Sequence, residues 1–450
     1  MRVDLRHGDC VELMRAMPDC SVDSVVTDPP YELGFMGKTW DGAGIAYSLD
    51  MWGEALRVLK PGGHLLAFGG TRTYHRMACA IEDAGFEIRD SIHWVYGSGF
   101  PKSLNVGKAI DKAAGAEREV VGERKQRGRA KAHDDEFQKN TSSSPVELLT
   151  TAATDEAKRW EGWGTALKPA HEPVVVARKP LSGTVAGTVL TWGTGGLNID
   201  GCRVATDDLK PYTPGVHRDS PSSFNDDGWQ GTESLKPAPS GRWPANIVLD
   251  GAAAAALDQQ SGVSNGRVGM TQHGSGTNAV YGTFARSEQS VGNGGTPDKG
   301  GASRFFTQAD FGPDDWPFVY QAKPSRRERN AGLDGLPERR GGSETFNPKQ
   351  RDGVGEDRMP VRANHHPTVK PVALMRHLVR LVTPPGGTVL DPFAGSGTTL
   401  VAAVLEGMNA IGCEMTDEYL PIIRGRVAWA EEQAESAAEA AANPEQPTLL

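Results

Sequence analysis

Asp28-Pro29-Pro30-Tyr31 stands one residue after the apolar strand signal Val22 to Val26. An amino group on an aromatic ring is a poor nucleophile, because its lone pair is delocalised into the ring. A carboxylate and a backbone carbonyl that accept both N–H bonds favour the pyramidal nitrogen that can attack. Asp28 can supply the carboxylate. Pro29 and Pro30 stiffen the turn and remove backbone donors, leaving the Pro29 carbonyl free to accept. Tyr31 offers a flat face for stacking a flipped-out base. The bare Asp-Pro-Pro also suits a strand-end turn with no chemistry; Tyr31 and the strand-end position favour a site.

A second constellation is Asp391-Pro392-Phe393-Ala394-Gly395-Ser396-Gly397-Thr398-Thr399. Between a strand and a helix, such glycines let the backbone approach a ligand at a helix N-terminus. A dinucleotide fingerprint would need a third glycine where Leu400 stands, and no Gly-Lys-Ser/Thr follows to make a P-loop. Glu414 ends the next strand about twenty residues on, where an acidic group suits a ribose diol. Nicotinamide dinucleotides and S-adenosylmethionine both carry such a diol, so Glu414 alone does not choose between them. In Gly8-Asp9-Cys10, Asp9 could accept from an adenine amino group; taken alone it reads as a helix N-cap. In His365-His366-Pro367-Thr368-Val369-Lys370-Pro371, Lys370 could bind a carboxylate or be a solvated lysine before a helix. The histidine pair has no partner cluster, so no metal is expected.

These residues need a sheet to hold them. Strand signals cover Val3–Leu5, Val22–Val26, His64–Phe68 and Glu87–Tyr96, with helical spacing over Val11–Met17, Leu49–Leu59 and Thr71–Ala84. Ser48 is the expected N-cap of the second helix. The alternation predicts a largely parallel sheet with helices on both faces. Residues 122–160 are polar and charged and read as an exposed, disordered insertion. Pro173–Arg178 is a strand that can pair antiparallel with Ser91–Tyr96, making 97–172 an excursion from a hairpin tip. Residues 181–315 are rich in Gly, Ser, Asn, Trp and Pro, with short apolar pieces such as Ala245–Leu249. The α/β pattern returns with strands Phe318–Ala322, Thr388–Leu390 and Ala410–Cys413. Helices are expected over Val372–Val382, Thr398–Glu406 and Tyr419–Glu431, then a fraying tail.

A chain of 450 residues with 55 Gly and 30 Pro accommodates two or three domains and much loop. No apolar run is long enough to span a membrane, and the first residues are charged and lack a signal-peptide core. The five cysteines are scattered without metal-ligand spacing, as expected of reduced cytoplasmic thiols. A net charge of −9 argues against non-specific coating of nucleic acid but allows one local basic face.

Together the motifs resemble the β-group DNA amino-methyltransferases, the N6-adenine/N4-cytosine methylases, in which D-P-P-Y precedes the specificity region and F-x-G-x-G comes last. Thr27–Asp41, Gly162–Leu181 and Gly193–Val204 resemble phage and prophage members in particular. The resemblance implies a Rossmann-like methyltransferase fold with a mixed seven-stranded sheet and circularly permuted motif order. It divides the chain into a catalytic half, 1–180, with a polar insertion at about 101–165. A target-recognition domain follows at 181–317, then a cofactor-binding half at 318–431 and a flexible acidic tail at 432–450. Asp28, Pro29, Pro30 and Tyr31 would handle the base. Asp9, Cys10, Lys370, Asp391, Phe393, Gly395, Gly397, Thr398 and Glu414 would line an S-adenosylmethionine pocket, with Glu414 on the ribose, Asp9 on the adenine and Lys370 on the methionine carboxylate. The implied partner is double-stranded DNA in a bacterial or phage-infected cytoplasm. A homodimer and a companion restriction endonuclease are left open.

DNA contacts are expected from Lys38 and Trp40, just after the catalytic turn, and from Lys323, Arg326, Arg327, Arg329, Arg339, Arg340 and the 124–131 cluster. Asp28 favours N6 of adenine, since Ser-Pro-Pro-Tyr is more usual among N4-cytosine enzymes, the nearest alternative. RNA or protein-glutamine methylation fits less well. A nicotinamide-dependent oxidoreductase would explain Gly395, Gly397, Glu414 and the acidic charge but leaves Asp28-Pro29-Pro30-Tyr31 without a purpose.

Overall fold

The sheet that carries both motifs is assembled from the two ends of the chain. In the computed structural model its strands are β1 (Val3–His7), β2 (Val22–Thr27), β3 (Leu59–Phe68), β4 (Glu87–Val95), β7 (His171–Arg178), β8 (Ile247–Leu249), β9 (Thr307–Gln308), β10 (Thr388–Asp391) and β11 (Asn409–Glu414). A separate hairpin is formed by β5 (Val120–Lys125) and β6 (Val146–Thr150). The structure describes residues 1–33, 42–97, 103–125, 146–204, 241–265, 277–278, 282–283, 299–308, 326–337, 339–340 and 361–442. The sheet order is β1-β11-β10-β2-β3-β7-β4-β8-β9. The C-terminal strands β10 and β11 thus slot between β1 and β2, with Val389 beside Ser24 and Val3 beside Ala410. All neighbours pair in parallel except β7, which runs against both β3 and β4. The expected antiparallel pairing of the Pro173–Arg178 strand with Ser91–Tyr96 is present, with Ser91 opposite Val175.

Strand residues alternate between two apolar layers, as period-two side chains must. Val26, Leu66, Phe68, Val174 and Val176 face helices α9 (Val372–Val382), α10 (Thr398–Leu405) and α11 (Leu420–Ala442). Val25, Leu65, Ala67 and Val175 face α1 (Cys10–Arg15), α2 (Leu49–Val58) and α3 (Tyr74–Asp83). Ser48 caps α2 by accepting from Met51 N, and Trp52 of α2 is fully buried, with its indole N–H donating to Ala46 O at 2.9 Å. Burying side chains of this size contributes about 2–3 kcal/mol each.

Several expectations are corrected. Among the described residues the sheet has nine strands, not seven, because β8, which leads into α7 (Gly251–Ser261), and β9 from the loop-rich middle extend it beyond β4. Their pairing is a long-range choice that strands of two or three residues do not announce. Helix α6 (Val185–Trp192) also attaches part of the middle region to β3: a Cβ on Gly62 would lie 2.8 Å from Thr188, and the Thr194 hydroxyl donates to Pro61 O at 2.6 Å. Within 101–165, the β5–β6 hairpin, α4 (Val106–Ala113) and α5 (Asp155–Arg159) are folded around a carboxylate rather than an apolar core. Asp111 is 1% exposed and accepts from Arg118, Ala153 N and both donors of Thr154. Burial pushes its carboxyl up, yet these donors win and hold it down at about 2. The last helix continues past Glu431 to Ala442, because Ala and Glu are strong helix formers. Phe318–Ala322 and 205–240 lie outside the described residues. Among those described, no helix is long and apolar enough to cross a membrane.

Candidate active site

The carboxyl ends of β2, β3, β10 and β11 meet along one edge of the sheet, and reversed β7 brings its first residues to the same edge. Asp28 leaves β2 there. Its Oδ2 accepts from Lys370 Nζ at 2.5 Å, while its Oδ1 is buried without a hydrogen-bond partner. Burial, opposed by Lys370 and assisted by the Glu172 carboxylate, raises the Asp28 pKa above the ordinary carboxylate range. An orphaned buried acceptor costs about 1–3 kcal/mol, so this oxygen is set for an incoming N–H. Tyr31 is held at both ends: its carbonyl accepts from the Thr73 hydroxyl at 2.7 Å, and its own hydroxyl donates to Glu172 Oε2 at 2.8 Å. Glu32, next in sequence, has a left-handed φ of 53°. Its carboxylate accepts from Gly44 N and Ala46 N at 2.8 and 3.2 Å and so ties the turn to the chain leading into α2.

Lys370 is the main surprise among the expected site residues. Instead of standing free for a ligand carboxylate, its ammonium reaches Asp28, Tyr31 Oη at 3.2 Å and Glu172 at 3.4 Å, three acceptors for three donors. It also lies 5.3 Å from the Tyr31 ring centroid and 4.9 Å from that of Phe68. The sequence cannot show this, because Lys370 and Asp28 are 342 residues apart.

The glycine-rich turn lies one strand away. Glu414 Oε2 accepts from Gly395 N and Oε1 from Thr416 N, each at 2.8 Å, so the carboxylate is held in place with lone pairs left over for a diol. Gly397, at φ 75°, is the N-cap residue of α10. Gly395 has φ 54°, and a Cβ there would lie 2.9 Å from His366 Nε2; at Gly397 it would lie 2.9 Å from Ile423. Gly395→Ala is therefore expected to weaken nucleotide-ligand binding by roughly 10-fold or more through left-handed strain and crowding; calorimetric titration of the purified variant checks it. Beneath the turn, Arg426 is 1% exposed and donates to Ser396 O, Ser396 Oγ and Thr398 Oγ1 at 2.6, 3.1 and 3.0 Å. Burial lowers its pKa to about 10.

Asp391 is 2% exposed, accepts from Thr27 Oγ1 at 2.7 Å and Phe393 N at 3.1 Å, and bolts β10 to β2. Burial raises its pKa to about 6. A carboxyl raised in the folded state binds a proton there that the unfolded chain has released, so its ionisation destabilises the fold as pH rises from about 4 to about 6. Asp391→Asn should remove that decline: its melting temperature, measured at intervals over this window, should fall less with rising pH than that of the wild type.

Asp9 is the N-cap of α1, accepting from Val11 N and Glu12 N at 2.9 and 3.1 Å. Cys10 is buried in the apolar layer of α1 and α2, and desolvation, then Asp9, pushes its thiol up to about 12. Phe393 packs against the same layer. Arg327 lies exposed on α8 (Arg326–Asn330), and Arg329, instead of reaching solvent, is buried and donates to His366 O at 2.7 Å. Lys38, Trp40 and Lys323 lie outside the described residues, as do the side chains of Arg326, Arg339 and Arg340. Glu172, Arg426 and Thr27 belong to the site but were not singled out in the sequence. Only Glu172 left a weak signal there, as an acidic residue just before the apolar run Pro173–Ala177.

Segments of this chain are similar to known DNA methyltransferases. The DNA adenine methyltransferase YhdJ of Escherichia coli (strain K12) is 46% identical over 56 residues, 12% of this chain and 19% of that protein. The type II methyltransferase M.ScaI of Streptomyces caespitosus is 37% identical over 73 residues, 16% of this chain and 24% of that protein. The matches thus span a quarter or less of these relatives' lengths. Among solved structures, the PvuII DNA methyltransferase (cytosine-N4-specific) aligns over 99% of this chain and 94% of its own, at 14% identity and a TM-score of 0.40. The family model of the N6/N4 DNA methylases matches residues 22–425, running from the first residue of β2 into α11 and so enclosing both the Asp28 turn and the Gly395 turn. This chain belongs to the N6/N4-type DNA methylase family.

Proposed function

We propose that the protein transfers a methyl group from S-adenosylmethionine to the N6 amino group of adenine in duplex DNA. The observation that carries the reading is the buried, unpartnered Oδ1 of Asp28 at the carboxyl edge of the sheet. It supplies an acceptor for one amino N–H, and the Pro29 carbonyl, on a residue with no N–H of its own, supplies the other. Tyr31 gives the flipped base a stacking face, the unstacking costing a few kcal/mol. The residues of the other turn fit the cofactor: Glu414 is held ready for a ribose diol, and Gly395 and Gly397 take the left-handed turn that a side chain would crowd against His366 and Ile423. When bound, S-adenosylmethionine supplies a methyl group activated by its cationic sulfur. The chain itself aligns the amino nitrogen and holds its protons at Asp28 and Pro29, so positioning carries the rate. No cysteine nucleophile is needed. Asp at position 28 supports adenine over cytosine.

The test is product identity. The purified protein is incubated with labelled S-adenosylmethionine and unmethylated phage DNA, and the digested nucleosides are separated by mass. N6-methyldeoxyadenosine is expected. N4-methyldeoxycytidine would overturn the choice of base but keep the chemistry of the amino group. No labelled nucleoside on DNA of varied sequence would overturn the DNA assignment. Thermal stabilisation by S-adenosylhomocysteine and not by NAD separates this reading from a nicotinamide-dependent enzyme.

A further inference from the structure

Reversed β7 places one more charge at the catalytic edge. Its second residue, Glu172, accepts the Tyr31 hydroxyl proton at 2.8 Å and lies 3.4 Å from Lys370 Nζ. Tyr96, on the loop after β4, has its hydroxyl pKa raised by burial and by Glu172. Two carboxylates, Asp28 and Glu172, thus share one ammonium, and the phenol of Tyr31 touches both the ammonium and Glu172. If Glu172 were absent, Lys370 would have only Asp28 as a charged partner, and the Tyr31 hydroxyl would lose the shorter of the two bonds that hold its far end.

We infer that Glu172 is a positioning residue for methyl transfer: it fixes the plane of the Tyr31 ring against the target base and shares the Lys370 ammonium with Asp28, so that Asp28 Oδ1 remains aimed at the amino nitrogen. The inference rests on the function proposed above. Glu172 needs no contact with the base or the cofactor to do this; it works through Tyr31 and Lys370. Its placement follows from topology, since only a strand opposed to its neighbours presents its N-terminal residue where the others end.

The test uses the full-length protein with Glu172→Ala, Glu172→Gln, Tyr31→Phe and the Glu172→Ala/Tyr31→Phe double variant. Glu172→Ala should lower kcat by roughly 10²-fold, the scale of a misplacement in a positioned site. KM for S-adenosylmethionine should stay within about two-fold, as for an interaction that acts only on the reacting geometry. Glu172→Gln keeps a hydrogen-bond acceptor but removes a like charge facing Asp28, so it should recover part of kcat. It should also move the acid limb of the kcat–pH profile to lower pH, because Asp28 then ionises more easily. Residues acting through one contact are non-additive, so the double variant should be little slower than the slower single variant. Wild-type kcat in Glu172→Ala, multiplicative losses in the double variant, or equal rises in KM and falls in kcat would overturn the inference while leaving methyl transfer intact. A wild-type protein that methylates no nucleoside would overturn the proposed function, and this inference with it.

Discussion

Asp28→Ala is expected to abolish methyl transfer, lowering kcat by at least roughly 10³-fold, while S-adenosylmethionine binds as before. A positioned group that holds or takes a proton contributes about 10²–10⁴-fold. Here the same group also supplies the orphaned acceptor for the amino nitrogen, which places the expected loss in the upper part of that range. The cofactor turn should be spared, because the Glu414 carboxylate is held by Gly395 N and Thr416 N and Gly397 N donates to Ala394 O, none of them a bond to Asp28. Single-turnover methylation and calorimetric cofactor titration on one preparation check both halves. A variant retaining a tenth of the wild-type rate would remove Asp28 from the chemistry. Asp28→Asn is the sharper control: it preserves the shape of the side chain but sets an uncharged amide beside the Lys370 ammonium.

Arg426→Ala is expected to cost about 3–5 kcal/mol of stability through the cavity it leaves and the acceptors it strands. Burying a guanidinium costs desolvation, which lowers the Arg426 pKa to about 10. What keeps it is its hold on Ser396 and Thr398, which shapes the turn between Gly395 and α10. Arg426→Met restores most of the volume without the donors, so it should lose less stability but still weaken cofactor binding. Urea unfolding measures the first effect and calorimetric titration the second. If Arg426→Ala unfolds at the wild-type midpoint and binds with wild-type affinity, the clamp has no role.

Much of the sheet was legible because its signals are local. Val22, Val25 and Val26 mark a strand that two prolines close just after Asp28, and Ser48 precedes an amphipathic run, so β2 and α2 follow from local pattern and capping alone. Pro371 opens α9, and the glycines before Thr398 open α10, for similarly local reasons. The fold of 101–165 was hidden because Asp111 organises it: a buried carboxylate satisfied by hydrogen bonds leaves no hydrophobic periodicity to read. Glu172 was hidden because its importance comes from a register, Phe68 opposite Val174, that only the assembled sheet defines.

The sequence by itself determined the chemistry on offer: a carboxylate and a free carbonyl at Asp28 and Pro29, a stacking ring at Tyr31, and a glycine turn with an acidic residue one strand later. Residue type and short-range spacing carry those properties, and both are present before folding. Tertiary structure alone decided which groups meet. It took Lys370 to Asp28, brought Glu172 to Tyr31, set Arg426 under Ser396, and left one oxygen of Asp28 buried without a partner. Those encounters join residues up to 342 positions apart, and they exist because β10 and β11 insert between β1 and β2 while β7 runs backwards.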